Sequence, residues 1–449
     1  MEIFEFYRQI FELQSGYEIK WFSRDGWFKL AHVCLRWRRV VFLSPSRLHA
    51  YLRFTPSRCL REPTLRCLPR LPIFVDYRTI YVWEEKEENL AIATLEQRDR
   101  VRRIVLRPKS GSKLLGALNH PFPGLESLTL PYSYLVLVLP PTFLSGSTPC
   151  LRQLKLEGVA LEGLSPILSS AISLVELTLH VAVVPRAPCE TSLLTNLKRM
   201  PRLRHLDLMF TDWGIGNTIT DSSSPPASAG NVVPLSELTH FIFRGDGPYL
   251  QMFVDGLAAP SLQRLDVQPA RLRPMLSSIP HLCKFICDVE RRFNSVRIDF
   301  SHGKLDFSEV PLSKFTESQA FRIPLQSNIS LEQMGNMLAV LLSTVEELVV
   351  EWQLRAIMHR RDIRWRGFFK HTRRVKMIQV TSNLVANVAR SFQQDGYDLD
   401  LLPALEQIKV RKAPHGPRKE GQYGSICRAF GPLITARQRE GQPIGLSFT

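Results

Sequence analysis

The sequence predicts an α/β repeat array preceded by a small helical unit. Three observations predict it. One short apolar pattern, L-x-x-L-x-L, recurs through most of the chain; stretches with helical spacing separate its copies; and the first 54 residues follow a different pattern. At 449 residues the chain is long for one compact domain, whereas a stacked array grows without a single large core.

The pattern is tightest at Leu125-Leu128-Leu130, Leu151-Leu154-Leu156, Leu174-Leu177-Leu179 and Leu203-Leu206-Leu208. It continues as Leu238-Phe241-Phe243 and Leu262-Leu265-Val267. Looser copies are Phe293-Val296-Ile298, Val345-Leu348-Val350, Val375-Ile378-Val380 and Leu405-Ile408-Val410, with an early one at Val101-Ile104-Leu106. Starts at 101, 125, 151, 174 and 203 give steps of 24, 26, 23 and 29, the period of leucine-rich repeats. The second and third template positions alternate as strand side chains do, so both face one interior. Proline precedes several copies (Pro123, Pro149, Pro201, Pro260, Pro403) and ends the preceding helix. A step of 52 after Phe293 leaves room for one more turn around Phe321–Ile323.

Between copies the spacing becomes helical. Leu164, Ile167, Leu168 and Ala171 share one face, as do apolar residues of Leu331–Leu342. This strand–helix alternation predicts an irregular leucine-rich-repeat solenoid with a parallel strand ribbon over 101–410. Residues 214–234, rich in Gly, Ser and Pro, are expected to form an exposed loop within it. Residues 55–100 read as a connection, and 411–449 as a polar break followed by a cap, with a helix over Ser425–Glu440 and a last strand over Ile444–Phe448.

The net charge of +16 favours anionic partners. The eight cysteines are sparse and irregular, which argues against a disulfide framework. Glu2, Glu5 and Arg8 interrupt the N-terminus as a secretory segment, and the apolar run Leu135–Leu139 is far too short to span a membrane. The expectation is an intracellular protein, cytoplasmic or nuclear, with reduced thiols and no membrane segment.

In residues 1–54, Ile3, Phe4, Phe6 and Tyr7 crowd an opening helix, and Trp27, Leu30, Ala31, Cys34 and Trp37 recur at helical spacing. Cys34 and Trp37 are expected in the unit's own core. The string Lys29–Phe54 resembles the second half of an F-box, with Val33, Cys34, Trp37 and Arg38 in a V-C-x-x-W-R core and Ser44, Pro45 and Leu48 in the turn after it. The whole chain resembles F-box/leucine-rich-repeat-like proteins of mushroom-forming fungi; Thr64–Val75, Leu95–Leu106 and Ile434–Phe448 are further matching stretches. The resemblance implies a substrate receptor that docks a Skp-type adaptor of a cullin ubiquitin ligase and holds a protein substrate on its repeats, as one copy within that complex. Docking in an apolar groove would use Ile3, Phe4, Tyr7 and Leu30. Two departures stand out. The L-P turn that opens the family's first helix is absent, which leaves the F-box N-terminally incomplete, and residues 8–28 are longer than the usual link.

Chemistry has little foothold. The phosphate-binding, dinucleotide-binding and H-E-x-x-H zinc patterns are all missing, so no catalytic residue, metal or cofactor is expected. His281, Cys283 and Cys287 lie close in sequence but read as buried apolar thiols, not metal ligands. The expected function is protein binding, through outward strand residues Arg152, Lys155, Glu176, Arg204, Asp207, Arg264 and Asp266. A second surface is basic: Gln353–Lys376 holds nine Lys/Arg against one Asp, among them Arg360, Arg361, Arg364, Arg366, Lys370, Arg373 and Arg374. Trp365, Phe368 and Phe369 interleave as in a single-strand nucleic-acid site, yet they also fit the inner face of a repeat helix with solvated arginines. On this reading the alternative function is a basic scaffold without ligase coupling, for which an acidic protein ranks ahead of nucleic acid.

Overall fold

The computed structural model describes residues 32–43, 51–55, 71–78, 85–107, 112–132, 136–160, 164–183, 189–210, 232–269, 278–289, 293–300, 303–310, 321–324, 330–351, 365–393, 400–412 and 422–448. The chain divides into two compact units, Met1–Met200 and Pro201–Thr449, each a mixed α/β structure with its own run of strands.

In the first unit, helix α1 (Leu35–Leu43) precedes strands β1 (Leu52–Phe54) and β2 (Ile73–Tyr77). Helix α2 (Glu85–Leu95) leads to β3 (Val101–Leu106), and α3 (Lys113–Ala117) to β4 (Ser127–Leu130). Then come β5 (Gln153–Ala160), α4 (Ser165–Ser170), β6 (Glu176–Val183) and α5 (Cys189–Leu197). The six strands pair in chain order and all in parallel. Template residues meet across them: Ile104 pairs with Leu128, Leu128 with Leu154 and Leu154 with Leu177. All four are at most 1% exposed, as their spacing predicts.

The parallel run therefore begins at Leu52, ahead of Val101, and residues 55–100 carry a strand and a helix instead of a plain connection. The reason is local. In β2, Ile73, Val75 and Tyr77 are fully buried by simple alternation, and a register shift between Ile73 and Phe74 replaces the three-residue first step of the template. Helix α1 also differs from expectation: Cys34 is exposed and Trp37 only half-buried, so neither forms a core there. Val33, Leu35 and Leu43 are 60%, 61% and 68% exposed.

The second unit opens with β7 (His205–Phe210), β8 (Val233–Pro234) and β9 (His240–Gly245). Helix α6 (Gly247–Gly256), β10 (Leu257–Ala258), β11 (Arg264–Pro269) and α7 (Ile279–Cys287) follow. Next are β12 (Ser295–Asp299), β13 (Lys304–Ser308) and β14 (Phe321–Pro324). Helices α8 (Leu331–Met337) and α9 (Ala339–Leu342) precede β15 (Glu347–Glu351). Last come α10 (Trp365–Phe369), β16 (Met377–Thr381), α11 (Val385–Arg390), β17 (Gln407–Arg411), α12 (Gln422–Arg439) and β18 (Gly445–Phe448).

Here the strand order is β7-β9-β11-β14-β13-β12-β15-β16-β17-β18. The expected ribbon is thus interrupted: β13 is antiparallel to both β12 and β14, and β14 takes the place beside β11. The extra turn anticipated at Phe321–Ile323 is this strand. The inner row still runs through the reversal, from Leu206 through Phe241, Leu265, Phe321, Phe307, Val296, Leu348 and Ile378 to Ile408. Phe293 secures the inserted turn by packing on Phe307 and Phe321, with ring centroids 5.6 and 5.1 Å away. The C-terminal helix and last strand form where the spacing places them, within a few residues.

Main-chain bonds repeat at the strand starts. Two successive amides donate to one carbonyl of the preceding strand's start: Arg152 and Gln153 to Glu126, Thr239 and His240 to Arg204, and Lys376 and Met377 to Glu346. The copies that begin at Leu151, Leu238 and Val375 thus enter the sheet by the same turn.

Candidate functional site

With the template residues buried on one face, the intervening residues line the other. In the first unit this outward face carries the rows Arg103–Ser127–Gln153–Glu176 and Val105–Thr129–Lys155–Thr178. Arg152, Lys155 and Glu176 are exposed there, as anticipated. Lys155 Nζ lies 2.8 Å from Glu157 Oε1, and the Tyr132 amide donates to Glu157 Oε2 at 2.9 Å. Burial alone would raise the Glu157 carboxyl; those contacts outweigh it and hold the group below the usual carboxylate range.

At the first strands, Arg53 and Arg78 converge on Asp76, Arg78 Nε donating to Oδ1 at 2.8 Å. Burial raises this carboxyl too, and hydrogen bonds from Arg78 and then Arg53 more than offset it, so Asp76 titrates below its ordinary value. A depressed folded value means stability that is present above the unfolded pKa and lost as pH falls through the folded one. Asp76→Asn is expected to lower the urea midpoint of the first unit at neutral pH. The gap from the parent should close as pH drops below about 4, and a constant gap would show that the pair adds nothing pH-dependent.

In the second unit charge runs along the outward row Asp207–Ile242–Asp266–Arg322–Asp306–Arg297. Arg322 donates to Asp306 Oδ1 at 2.8 Å and to Asp266 Oδ2 at 3.3 Å. Lys304 Nζ stands 3.6 Å from Asp306 Oδ2. Arg244 Nη1 donates to Asp207 at 3.1 Å. Arg411 and Arg297 flank Glu351 at 3.0 and 3.9 Å. The predicted site residues behave differently from one another here. Arg204 is exposed and Arg264 half-buried, Asp207 is engaged by Arg244, and Asp266 is only 4% exposed, so it braces the sheet and offers no contact. Arg322, Asp306 and Arg244 are ion-pair partners on this face that the sequence pattern did not mark, because it does not show which strands lie side by side.

At the strand starts of the same face sit His205, His240 and Arg264, consecutive register partners. The two imidazoles stack with centroids 4.3 Å apart and planes tilted by 18°. Burial, then His205 and Arg264, pull His240 below its ordinary value.

The basic stretch divides. Arg360, Arg361 and Arg364 lie outside the described residues, as do Ile3, Phe4, Tyr7 and Leu30. Lys370, Arg373 and Arg374 are exposed and Arg366 half-buried. Trp365, Phe368 and Phe369 are fully buried, with Trp365 stacked on Phe369 at 5.6 Å, so none offers a ring face to a base.

On the helix side, Val254, Leu257, Phe285 and Val289 help line a cavity of about 590 Å³, where His281 Nδ1 lies 2.8 Å from Asp255 Oδ1. Lys284 and Asp288 line it as well. Among the described residues no group of three or more His, Cys, Asp and Glu is placed to hold a metal ion, and no helix is long and apolar enough to cross a membrane. Cys283 is buried as expected, whereas Cys287 is exposed. Burial, with Cys287 adding to it, pushes the Cys283 thiol up to about 12. Iodoacetamide at about pH 8 should therefore modify Cys34, Cys150 and Cys427 but spare Cys283 until the chain unfolds. Peptide mass spectrometry reads this; equal labelling of Cys283 and Cys34 would refute it.

No family model matches the chain, and no curated protein matches it. Among solved structures, it is similar to the leucine-rich repeat-containing protein LegL7 from Legionella pneumophila, at 13% identity and a TM-score of 0.31, over 72% of this chain and 96% of that one. It is also similar to TLR13 from a complex with ssRNA13, at 12% identity and a TM-score of 0.35, over 89% of this chain and about half (49%) of that one.

Proposed function

We propose that the chain is a non-catalytic protein-interaction module, a leucine-rich-repeat-like solenoid whose outward strand faces hold a protein partner. The observation that carries this reading is the inner row of template residues, in register from strand to strand within each unit. Such a row spends the apolar residues on stacking and leaves the opposite, polar face of every strand for recognition. The experiment is site-directed photo-crosslinking in cells at outward positions Lys155, Glu176 and Lys409, against helix-side controls Lys198 and Arg390. One protein captured from the outward positions alone supports the reading; equal capture from both sides counts against it.

A finer role goes with it, that of substrate receptor in a Skp–cullin ubiquitin ligase. Its support is the V-C-x-x-W-R resemblance together with the exposed Val33, Leu35 and Leu43 around α1, apolar side chains of the kind an adaptor groove takes. Pull-down with a fungal Skp-type adaptor at low and high salt tests it, beside an Ile3→Asp/Phe4→Asp variant. Salt-resistant binding lost in the variant supports the role, and no binding by the parent removes it. The exposed Lys370, Arg373 and Arg374 favour the second reading, a basic scaffold for an acidic protein, whose binding would weaken steeply with salt.

A further inference from the structure

Charge is spread unevenly over the outward face of the first unit. Across most of it cations meet carboxylates. Lys155 lies against Glu157, and along the row of strand starts Arg102, Glu126, Arg152 and Glu176 alternate in sign, each main chain bonded to the one before. The corner at β1–β3 is different. Arg53, Arg78, Arg103 and Arg107 share it with a single carboxylate, Asp76. Arg103 is the register partner of Phe74, and the Arg107 amide donates to the Tyr77 carbonyl, which sets Arg107 beside Arg78. Asp76 already has a counter-ion in Arg53, whose side chain is 9% exposed. Arg78 therefore adds charge to a carboxylate that is matched without it, and its side chain is 54% exposed. Arg103 is exposed, and the half-buried Arg107 donates through Nε to the Tyr132 carbonyl at 2.7 Å, a neutral acceptor. Among the described residues no carboxylate pairs with either of them. The corner is strongly positive as a result.

We propose that Arg78, Arg103 and Arg107 form a docking corner for an acidic, extended protein segment. The proposal rests on the outward strand faces being the binding face; it adds the partner's chemistry and the place where it engages. Arg103 and Arg107 are four residues apart on β3, about 13 Å along a strand, which is also the separation of carboxylates four apart in an extended chain. Guanidinium forks take such carboxylates in charge-assisted pairs. Beside them β4 presents Ser127 and Thr129, small hydroxyl side chains that let a second main chain lie close to the sheet. The geometry disfavours a nucleic acid. Phe74, the aromatic residue among these arginines, is 8% exposed beneath Arg53, whose guanidinium stands 5.5 Å from the ring centroid, so it offers no face to a base.

The test is fluorescence anisotropy of a labelled octaglutamate peptide with the full chain at about 0.1 M salt. The parent should bind it, and less tightly as salt rises. Arg103→Gln/Arg107→Gln should weaken binding about tenfold, because two charge-assisted contacts are lost. Lys370→Gln/Arg373→Gln/Arg374→Gln removes charge from the second unit and should change the affinity less than about twofold, since screening confines each charge to its surroundings. The reversed variant Arg103→Glu/Arg107→Glu should lose octaglutamate and gain octalysine, a result that misfolding would not produce. Failure of the parent to bind octaglutamate overturns the proposal, as does failure of the reversed variant to gain octalysine. Equal losses in the two glutamine variants would trace binding to net charge and overturn it too. A single-stranded oligothymidylate that binds more tightly than octaglutamate, and loses as much in Arg103→Gln/Arg107→Gln, would reassign the corner to nucleic acid and also overturn it. The crosslinking above separates the two readings: capture at Lys155 or Glu176 without peptide binding that depends on Arg103 and Arg107 removes the corner and leaves the binding face standing.

Discussion

Arg322→Met is expected to destabilise the second unit by about 3–5 kcal/mol, the usual cost of stranding buried charge. Asp306 is fully buried and Asp266 is 4% exposed, and Arg322 lies between them on the outward face. The arginine joins strands whose order departs from the chain's order. Asp306 is on β13, antiparallel to β14, while Asp266 is on β11, parallel to it. Methionine keeps much of the aliphatic stem but supplies no donor, so Asp306 keeps Lys304 at 3.6 Å and Asp266 keeps Gln268 and Arg264 at 3.2 and 3.8 Å, while each buried carboxylate loses its bond to Arg322. Urea unfolding followed by circular dichroism measures the effect. The triple variant Asp266→Leu/Arg322→Met/Asp306→Leu should recover most of the loss, since an apolar replacement strands no charge. A loss below about 1 kcal/mol for Arg322→Met would put the pair in the class of screened surface bridges and leave the reversal held by its inner residues alone.

That reversal also marks where sequence reasoning stops. The inner rows are legible because burial needs an apolar residue at two fixed strand positions, and Leu154, Leu156, Leu177 and Leu179 state this directly. Strand order is not legible: the alternation in Phe321–Ile323 predicts a strand but is silent on whether β11 or β12 lies beside it. Ile73, Val75 and Tyr77 escaped the search because the template counts three residues to its first step and β2 uses two. Outward charges are harder still. Asp266 and Arg264 are alike in the sequence, polar residues between template positions, yet one is engulfed by Arg322 and Gln268 while the other keeps part of its surface. Distance along the chain hides such pairs, for 56 residues separate Asp266 from Arg322. The histidine row was missed for the same reason, since His205 and His240 become neighbours only through the pairing of β7 with β9.

Arg437→Met should cost the C-terminal part of the second unit about 2–4 kcal/mol, because buried acceptors lose their donor. Arg437 is only 2% exposed, and burial pulls its guanidinium below the ordinary value. Its Nη1 donates to the Pro403 carbonyl at 3.3 Å and to Gln442 Oε1 at 2.6 Å. Its Nη2 donates to the carbonyls of Leu401 and Leu402, each at 3.1 Å. Leu402 has a φ of 60°, a left-handed conformation that costs a branched residue about 1–2 kcal/mol. The turn keeps it because the Leu402 side chain is fully buried and its carbonyl is bound. Arg437 is therefore the link between α12 and the turn that starts β17, and it fixes where the last template copy enters the sheet. Arg437→Lys should rescue little, since one ammonium cannot span four acceptors that a planar fork reaches together. Leu402→Gly separates the contributions: it relieves the backbone but empties a buried site, so it should destabilise less in the Arg437→Met background than alone. Strict additivity of the two in urea unfolding would show that the arginine and the left-handed leucine are independent, and would undo the argument that one holds the other.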